Sequence, residues 1–300
     1  LCRSPVELKV AHVKHNPDEV PDALQAFATQ NYGAPQEWKP LSGGRSNRSW
    51  CLRVGADERV FKLFDPARGN RLFPNEASAE VSALKTLHGT GLAPEFVTSF
   101  ETRRGMCLVY RYVEGERAAT TDAATMRVLA RLHSLKPITT LRRVCVTPER
   151  LLREGMGFLS GVKTYEAGWL LRHMPEPEDI ATGADVFLHG DPVPANVIAA
   201  GSERVLIDWQ CPAYGDATAD LAIALSPAMH VVYGMGPLTP EAEVAALQGY
   251  PDTETIARYR ALEPYYRWRM AAYCAWKAAQ GEVIYTQALE AELNALRDVP

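Results

Sequence analysis

Two short apolar runs, each delivering polar groups at its end, constrain this chain more than any other feature. The first, Val186-Phe187-Leu188, leads into His189-Gly190-Asp191 and then, five residues beyond the Asp, Asn196. The second, Val205-Leu206-Ile207, follows Gly201-Ser202, precedes Pro212 and ends in Asp208. Three or four apolar residues bounded by turn formers read as a short buried strand. Two such strands carry Asp191, Asn196 and Asp208 towards one cleft.

The residue types suit magnesium-dependent phosphoryl transfer. An Asp can accept the proton of an attacking hydroxyl, and an Asn five residues later can hold Mg²⁺, with Asp208 as the second ligand. A hard cation of this kind takes oxygen donors from one or two side chains together with substrate phosphates. Cys and His clusters at metal-binding spacing are absent.

The strings HGDPVPANVI and IDWQCPAYGDATADLA resemble the signature of the aminoglycoside phosphotransferase and choline kinase superfamily. The resemblance implies an α+β, protein-kinase-like two-lobed fold. An antiparallel-sheet N-terminal lobe is expected over residues 1–112 and a mainly helical C-terminal lobe over 113–300. It further implies Asp191 as catalytic base and Asn196 and Asp208 as metal ligands. His189, Asp216 and Asp220 would be architectural, with Asp220 hydrogen-bonding the backbone of the catalytic loop.

Such an enzyme needs a glycine turn near the phosphates, a Lys on a neighbouring strand and a Glu on a following helix. Leu41 to Trp50 reads LSGGRSNRSW, where Gly43-Gly44 suits a tight turn. The candidate phosphate-binding residues there are Gly43, Gly44, Ser46 and Asn47. Cys51 to Val54 and Arg59 to Phe64 then alternate apolar and polar residues about a Gly55-Ala56-Asp57 turn, with Lys62 inside the second strand. Asn75 is a candidate N-cap for a helix from Glu76 to His88, stopped by Gly89 and Gly91. Glu80, Leu84 and Leu87 share one face of that helix, where an unpaired carboxylate would be costly. Glu80 is therefore favoured as the partner of Lys62, with Glu76 as the rival.

Met106 to Glu116 contains a run of strand formers from Cys107 to Tyr112. By resemblance it is the strand between the lobes, where Tyr110 to Val113 line the adenine slot and Arg111 and Val113 act through their main chain. Thr125 to Leu135 has helical periodicity and resembles the helix supporting the catalytic loop, with His133 a structural residue near the core. Leu151 to Ile180 is less regular. In the C-terminal third, Tyr266, Met270, Tyr273 and Trp276 recur at helical spacing. This stripe reads as core or, alternatively, as a cation–π cage, with Arg267 and Arg269 beside it able to face an anionic acceptor.

The acceptor stays open at this level. Choline kinases typically carry an acidic residue two positions after the metal Asp, where this chain has Gln210. The Glu282, Glu290 and Glu292 of the tail read as generic helix charges rather than an aminoglycoside pocket. The expectation is an ATP- and Mg²⁺-dependent kinase acting on a hydroxyl of a small metabolite: an amino alcohol, a sugar or an aminoglycoside-like molecule. A catalytically silent nucleotide-binding scaffold is the alternative.

Thirty-two basic against thirty-six acidic residues give a formal charge of -4, with no basic excess to track nucleic acid. No stretch is apolar enough to span a bilayer, and the first twelve residues lack a signal-peptide core. The six cysteines, at 2, 51, 107, 145, 211 and 274, have no paired spacing. A cytoplasmic protein without a membrane or nucleic-acid partner is expected.

Overall fold

The computed structural model describes residues 19–33, 37–41, 45–200 and 203–297. Helix α1 (Asp22–Tyr32) precedes strands β1 (Glu37–Leu41), β2 (Arg48–Val54) and β3 (Asp57–Leu63). Helix α2 (Ala77–Thr86) and strands β4 (Phe96–Thr102) and β5 (Gly105–Arg111) complete the first lobe. These strands form one antiparallel sheet in the order β1-β2-β3-β5-β4.

The period-2 alternation of β3 decides where Lys62 points. Phe61 and Leu63 join Leu24, Trp50, Leu52 and Val109 in a small apolar cluster beneath α1. Lys62, between them, turns to the other face of the sheet, towards α2. Its cross-strand neighbours are Ser49 and Leu108, and Leu108 belongs to the main core together with Leu84 and Leu87. Both faces of the sheet are thus covered, one by α1 and one by α2.

The second lobe begins with β6 (Glu116–Arg117), α3 (Ala123–His133), β7 (Arg142–Val144), α4 (Pro148–Leu159) and α5 (Tyr165–Arg172). Then come β8 (Asp185–Leu188), β9 (Val197–Ala200), β10 (Glu203–Leu206) and β11 (Ala213–Asp216). The chain ends in α6 (Thr218–Ala224), α7 (Pro227–Val232), α8 (Pro240–Leu247), α9 (Thr253–Ala279) and α10 (Ile284–Arg297). Two small three-stranded sheets, β10-β9-β6 and β7-β11-β8, present the loops that follow β8 and β10.

The aromatic stripe of α9 is core. Tyr266, Met270 and Tyr273 are buried, and Trp276 packs against the same cluster. The cage alternative fails because the Tyr273 ring is already surrounded edge-on by Phe73, Phe158 and Tyr285. The stretch read as irregular holds two helices, α4 and α5. Thr147 and Thr164 cap them by accepting the N–H groups of Arg150 and Ala167.

Asn75 does not cap α2. Glu76 occupies that position without a side-chain bond, while the Asn75 amide is bonded to Asn47 and to the carbonyl of Asp65. Among the described residues no helix is long and apolar enough to cross a membrane, and the five described cysteines are unpaired.

Candidate active site

Lys62 Nζ lies 2.5 Å from Glu80 Oε2 and 2.5 Å from Asp208 Oδ1. Lys62 and Glu80 are buried, whereas Asp208 keeps part of its side chain open. Burial by itself would weaken the ammonium, but Asp208 and Glu80 outweigh it and hold Lys62 above its ordinary value. Burial pushes the Glu80 carboxyl up, opposed by Lys62 and by the backbone N–H of Trp209. Glu76, the rival, is exposed at the N-terminal end of α2.

Asp208 has φ 62°, the only positive value among the described non-glycine residues. This left-handed conformation is costly for a residue with a side chain, though Asp tolerates it better than most. The apolar strand ends two residues earlier, at Leu206, so Asp208 sits on the turn beyond the strand rather than at its tip.

Asp191 is 3% exposed. Its main-chain carbonyl accepts the Asn196 amide at 2.9 Å and its Oδ2 accepts the same amide at 3.3 Å. Its Oδ1 is buried with no hydrogen-bond partner. Burial and the nearby Asp208 carboxylate push the Asp191 carboxyl up to about 8, with the Asn196 bond opposing them.

The loop around Asp191 is held from behind. Asp220 accepts the N–H groups of His189 and Gly190, each at 2.8 Å, and faces His133 Nε2 at 3.1 Å. Against the effect of burial, His133, His189 and these N–H groups keep Asp220 below the usual carboxylate range. His189 Nε2 contacts the Ile207 carbonyl and its Nδ1 accepts the Asp191 N–H, so one neutral tautomer satisfies both. Asp216 is gripped by Arg258 through two bonds at 2.9 and 3.0 Å and also accepts the N–H groups of Gly183 and Thr218. At Gly190, φ is 86° and a Cβ would lie 2.1 Å from the Cys211 carbonyl oxygen, so only glycine fits.

The residues proposed from the glycine turn divide. Gly43 and Gly44 lie outside the described residues. Ser46 is half-buried on the turn before β2. Asn47 is buried, and its amide donates to Asn75 Oδ1 and Gln210 Oε1 while its oxygen accepts the Asp65 N–H. An amide so fully used is tying the sheet to the loop after β10 and has little capacity left for a phosphate.

A cavity of about 390 Å³ lies between the lobes, with Val60 on one side and Ile198 and Ile207 on the other. Tyr110, Tyr112 and Val113 line its edge; Arg111 does not. The Arg111 N–H is donated to the Glu95 carbonyl and its side chain is exposed near Asp57. Strand alternation turns Arg111 away from a slot that Tyr110 and Tyr112 face.

The sequence profile of the phosphotransferase enzyme family matches residues 37–265, from β1 into α9. The chain belongs to that family. The curated proteins contain no match. Solved structures share the fold at low identity. A choline kinase from Cryptosporidium parvum has TM-score 0.61 and 13% identity, covering 92% of this chain and 96% of its own. A choline/ethanolamine kinase family protein from Mesorhizobium loti has TM-score 0.60 and 17% identity, with coverage of 93% and 94%. A thermostable mutant of an aminoglycoside phosphotransferase, in complex with AMP-PNP and hygromycin B, has TM-score 0.65 and 11% identity, with coverage of 92% and 98%.

Sequence reasoning missed a group of arginines: Arg71, Arg142, Arg150 and Arg153 line a large cavity beside Gly190. The pairs Arg142-Arg143 and Arg150…Arg153 are visible in the sequence, but the acidic balance of the whole chain concealed their convergence. Of the two arginines singled out on α9, Arg269 lines this cavity. Arg267 is instead buried among Glu243, Glu263 and Glu292.

Proposed function

We propose that this protein is an ATP- and Mg²⁺-dependent phosphotransferase that moves the γ-phosphoryl group to a hydroxyl of a small molecule. The observation that carries the reading is the convergence of Lys62, Glu80 and Asp208 on one point. Three distant stretches of chain meet there, with Asp191 and Asn196 alongside. A catalytically silent scaffold would have no chemical need for a buried carboxylate with an unpartnered oxygen at this place.

In this reading the chain divides into lobes at residues 112 and 113, between β5 of the large sheet and β6, which pairs with β9. The apolar slot of Val60, Ile198 and Ile207 takes the flat adenine ring. Val113 makes no backbone hydrogen bond with another described residue, so its N–H and carbonyl are free for the adenine edge. Lys62, steadied by Glu80, orients the triphosphate.

The donor set fits Mg²⁺. Asn196 spends its nitrogen on Asp191 and keeps its oxygen, and Asp208 keeps its Oδ2. Among the described residues no cluster of three or more His, Cys, Asp or Glu forms a metal site. A hard cation of this kind is held by one or two side chains and completed by phosphate oxygens. When bound, Mg²⁺ offsets the negative charge of the phosphates. Asp191 accepts the acceptor's proton through its unpartnered carboxylate oxygen. Asn196 fixes its orientation, and Asp220 fixes the loop. A cytoplasmic setting is part of the same proposal.

Thermal shift with ATP, with and without Mg²⁺, tests the reading. Wild type should be stabilised by ATP with Mg²⁺, and Asp208→Ala should lose that stabilisation more completely than Asn196→Ala, because it removes the charged ligand. Equal metal-dependent stabilisation of wild type and Asp208→Ala would overturn the assignment.

A further inference from the structure

The cavity beside Gly190 has a volume of about 560 Å³, and Leu188 and Gly190, which flank the start of the loop that carries Asp191, form part of its wall. Six guanidinium groups line it: Arg71 beyond β3, Arg142 and Arg143 on β7, Arg150 and Arg153 on α4, and Arg269 on α9. Only two carboxylates do so, and both are engaged. Glu154 accepts Arg150 Nε and Arg269 Nη1, each at 3.0 Å. Asp220 is turned to the backbone of His189 and Gly190. Arg143 is held by Asp185. Arg71, Arg142 and Arg153 form no ion pair with a described residue.

Arg269 adds a second, independent observation. It is 5% exposed, and its Nε is buried with no hydrogen-bond partner. A buried charge is tolerated when its donors are satisfied, so an unmet guanidinium N–H at the wall of a cavity marks a place for an acceptor oxygen. Planar guanidinium forks match the paired oxygens of phosphate and carboxylate.

We propose that this cavity binds the phosphoryl acceptor, and that the acceptor is an anion: a hydroxyl-bearing small molecule with a phosphate or carboxylate group. This rests on the phosphotransferase reading above and narrows it. The acceptor's oxyanion sits among the arginines and its hydroxyl reaches Asp191. That hydroxyl oxygen forms the new bond to the γ-phosphorus while its proton passes to Asp191. The bond from the γ-phosphorus to the bridging oxygen breaks, and ADP leaves with the electron pair. A quaternary amine or an amino sugar would enter a positive field whose lining carboxylates, Glu154 and Asp220, are both already engaged. Glu282 and Glu292 do not alter this, since Glu282 pairs with Lys277 and Arg45, and Glu292 is buried against Ser226.

The test uses inorganic phosphate and gluconate as oxyanion probes, with saturating AMP-PNP and Mg²⁺ holding the nucleotide site. One or both anions should raise the Tm of the wild type, and which one does so separates phosphate from carboxylate recognition. The double substitution Arg142→Gln, Arg153→Gln should weaken that binding by about tenfold or more and leave the AMP-PNP shift as it is. Both side chains are exposed, so the fold should tolerate the change, and Arg269→Gln gives a second variant at the buried position. Choline and kanamycin should produce no shift. Stabilisation by neither anion, or stabilisation by choline or kanamycin instead, overturns the proposal. If AMP-PNP itself fails to stabilise the wild type, the phosphotransferase reading falls and the acceptor role falls with it, whatever the anions do.

Discussion

Lys62 and Asp191 are both buried and lie within one cleft, yet they are provided for in opposite ways. Lys62 has two carboxylates at 2.5 Å, so its charge is met within the protein before any ligand arrives. Asp191 has one oxygen bonded to Asn196 and one bonded to nothing. A charge that its own protein satisfies is a fixture that holds the site in shape. One left short of a partner is set to receive a group from outside. The contrast separates groups that position from groups that react, within a site where burial alone would rank them alike.

The largest effect should come from breaking the satisfied side. Lys62→Met strands Glu80, 1% exposed, without its cation, and removal of one member of a buried pair costs about 3–5 kcal/mol. Denaturant unfolding should register that loss, and adding Glu80→Leu should return much of it. A Lys62→Met protein as stable as wild type would mean that the pair is not holding the lobe together.

The unsatisfied side predicts the reverse pattern. Asp191→Asn keeps the shape but removes the proposed proton acceptor, so turnover should fall by about two orders of magnitude or more. Stability should stay level or rise, because a buried carboxylate with an idle oxygen has been neutralised. Steady-state kinetics beside a melting curve gives both numbers, and near-normal turnover would erase the distinction.

A smaller effect sharpens the comparison. His230 on α7 also has a buried unpartnered nitrogen, Nδ1, while its Nε2 meets Thr121 at 3.2 Å. Burial pushes its imidazole down to about 4. The unfolded chain takes up a proton below about pH 6.5 and the folded chain does so only near pH 4, so stability falls as pH drops through that window. The loss should reach about 2 kcal/mol at pH 5. His230→Gln should flatten that slope between pH 6.5 and 5 and leave turnover intact. Lost turnover would place His230 with Asp191 rather than with the core.

Much of the proposed site was legible because the chemistry proposed for it would fix residue type and spacing together. The structure brings Lys62 to Glu80 and Asp208, and Asp191 to Asn196; Glu80 was readable from its place on an apolar helical stripe. What could not be read was how one side chain divides its hydrogen bonds. Asn47 looks free in a glycine-rich turn, but its amide is consumed by Asn75, Gln210 and Asp65. Arg111 was expected to act through its main chain, but its N–H is donated to the Glu95 carbonyl. The arginines of the cavity come from four separate stretches of chain, and no local pattern encodes such a meeting. Helices α4 and α5 were legible in principle from Thr147-Pro148 and Thr164, and α4 also from the helical spacing of Leu151, Leu152, Phe158 and Leu159.

The contact between Gly190 and Cys211 bears on tolerance as well as shape. Backbone meets backbone there, with no side chain interposed, so the loop carrying Asp191 is registered against the segment after Asp208 by rigid main-chain atoms rather than by rotamers. Misplacing a reacting group by 1 Å can cost about a hundredfold in rate. The spacing of the two aspartates therefore inherits the precision of the polypeptide backbone, and core substitutions that leave this contact alone have little leverage over it.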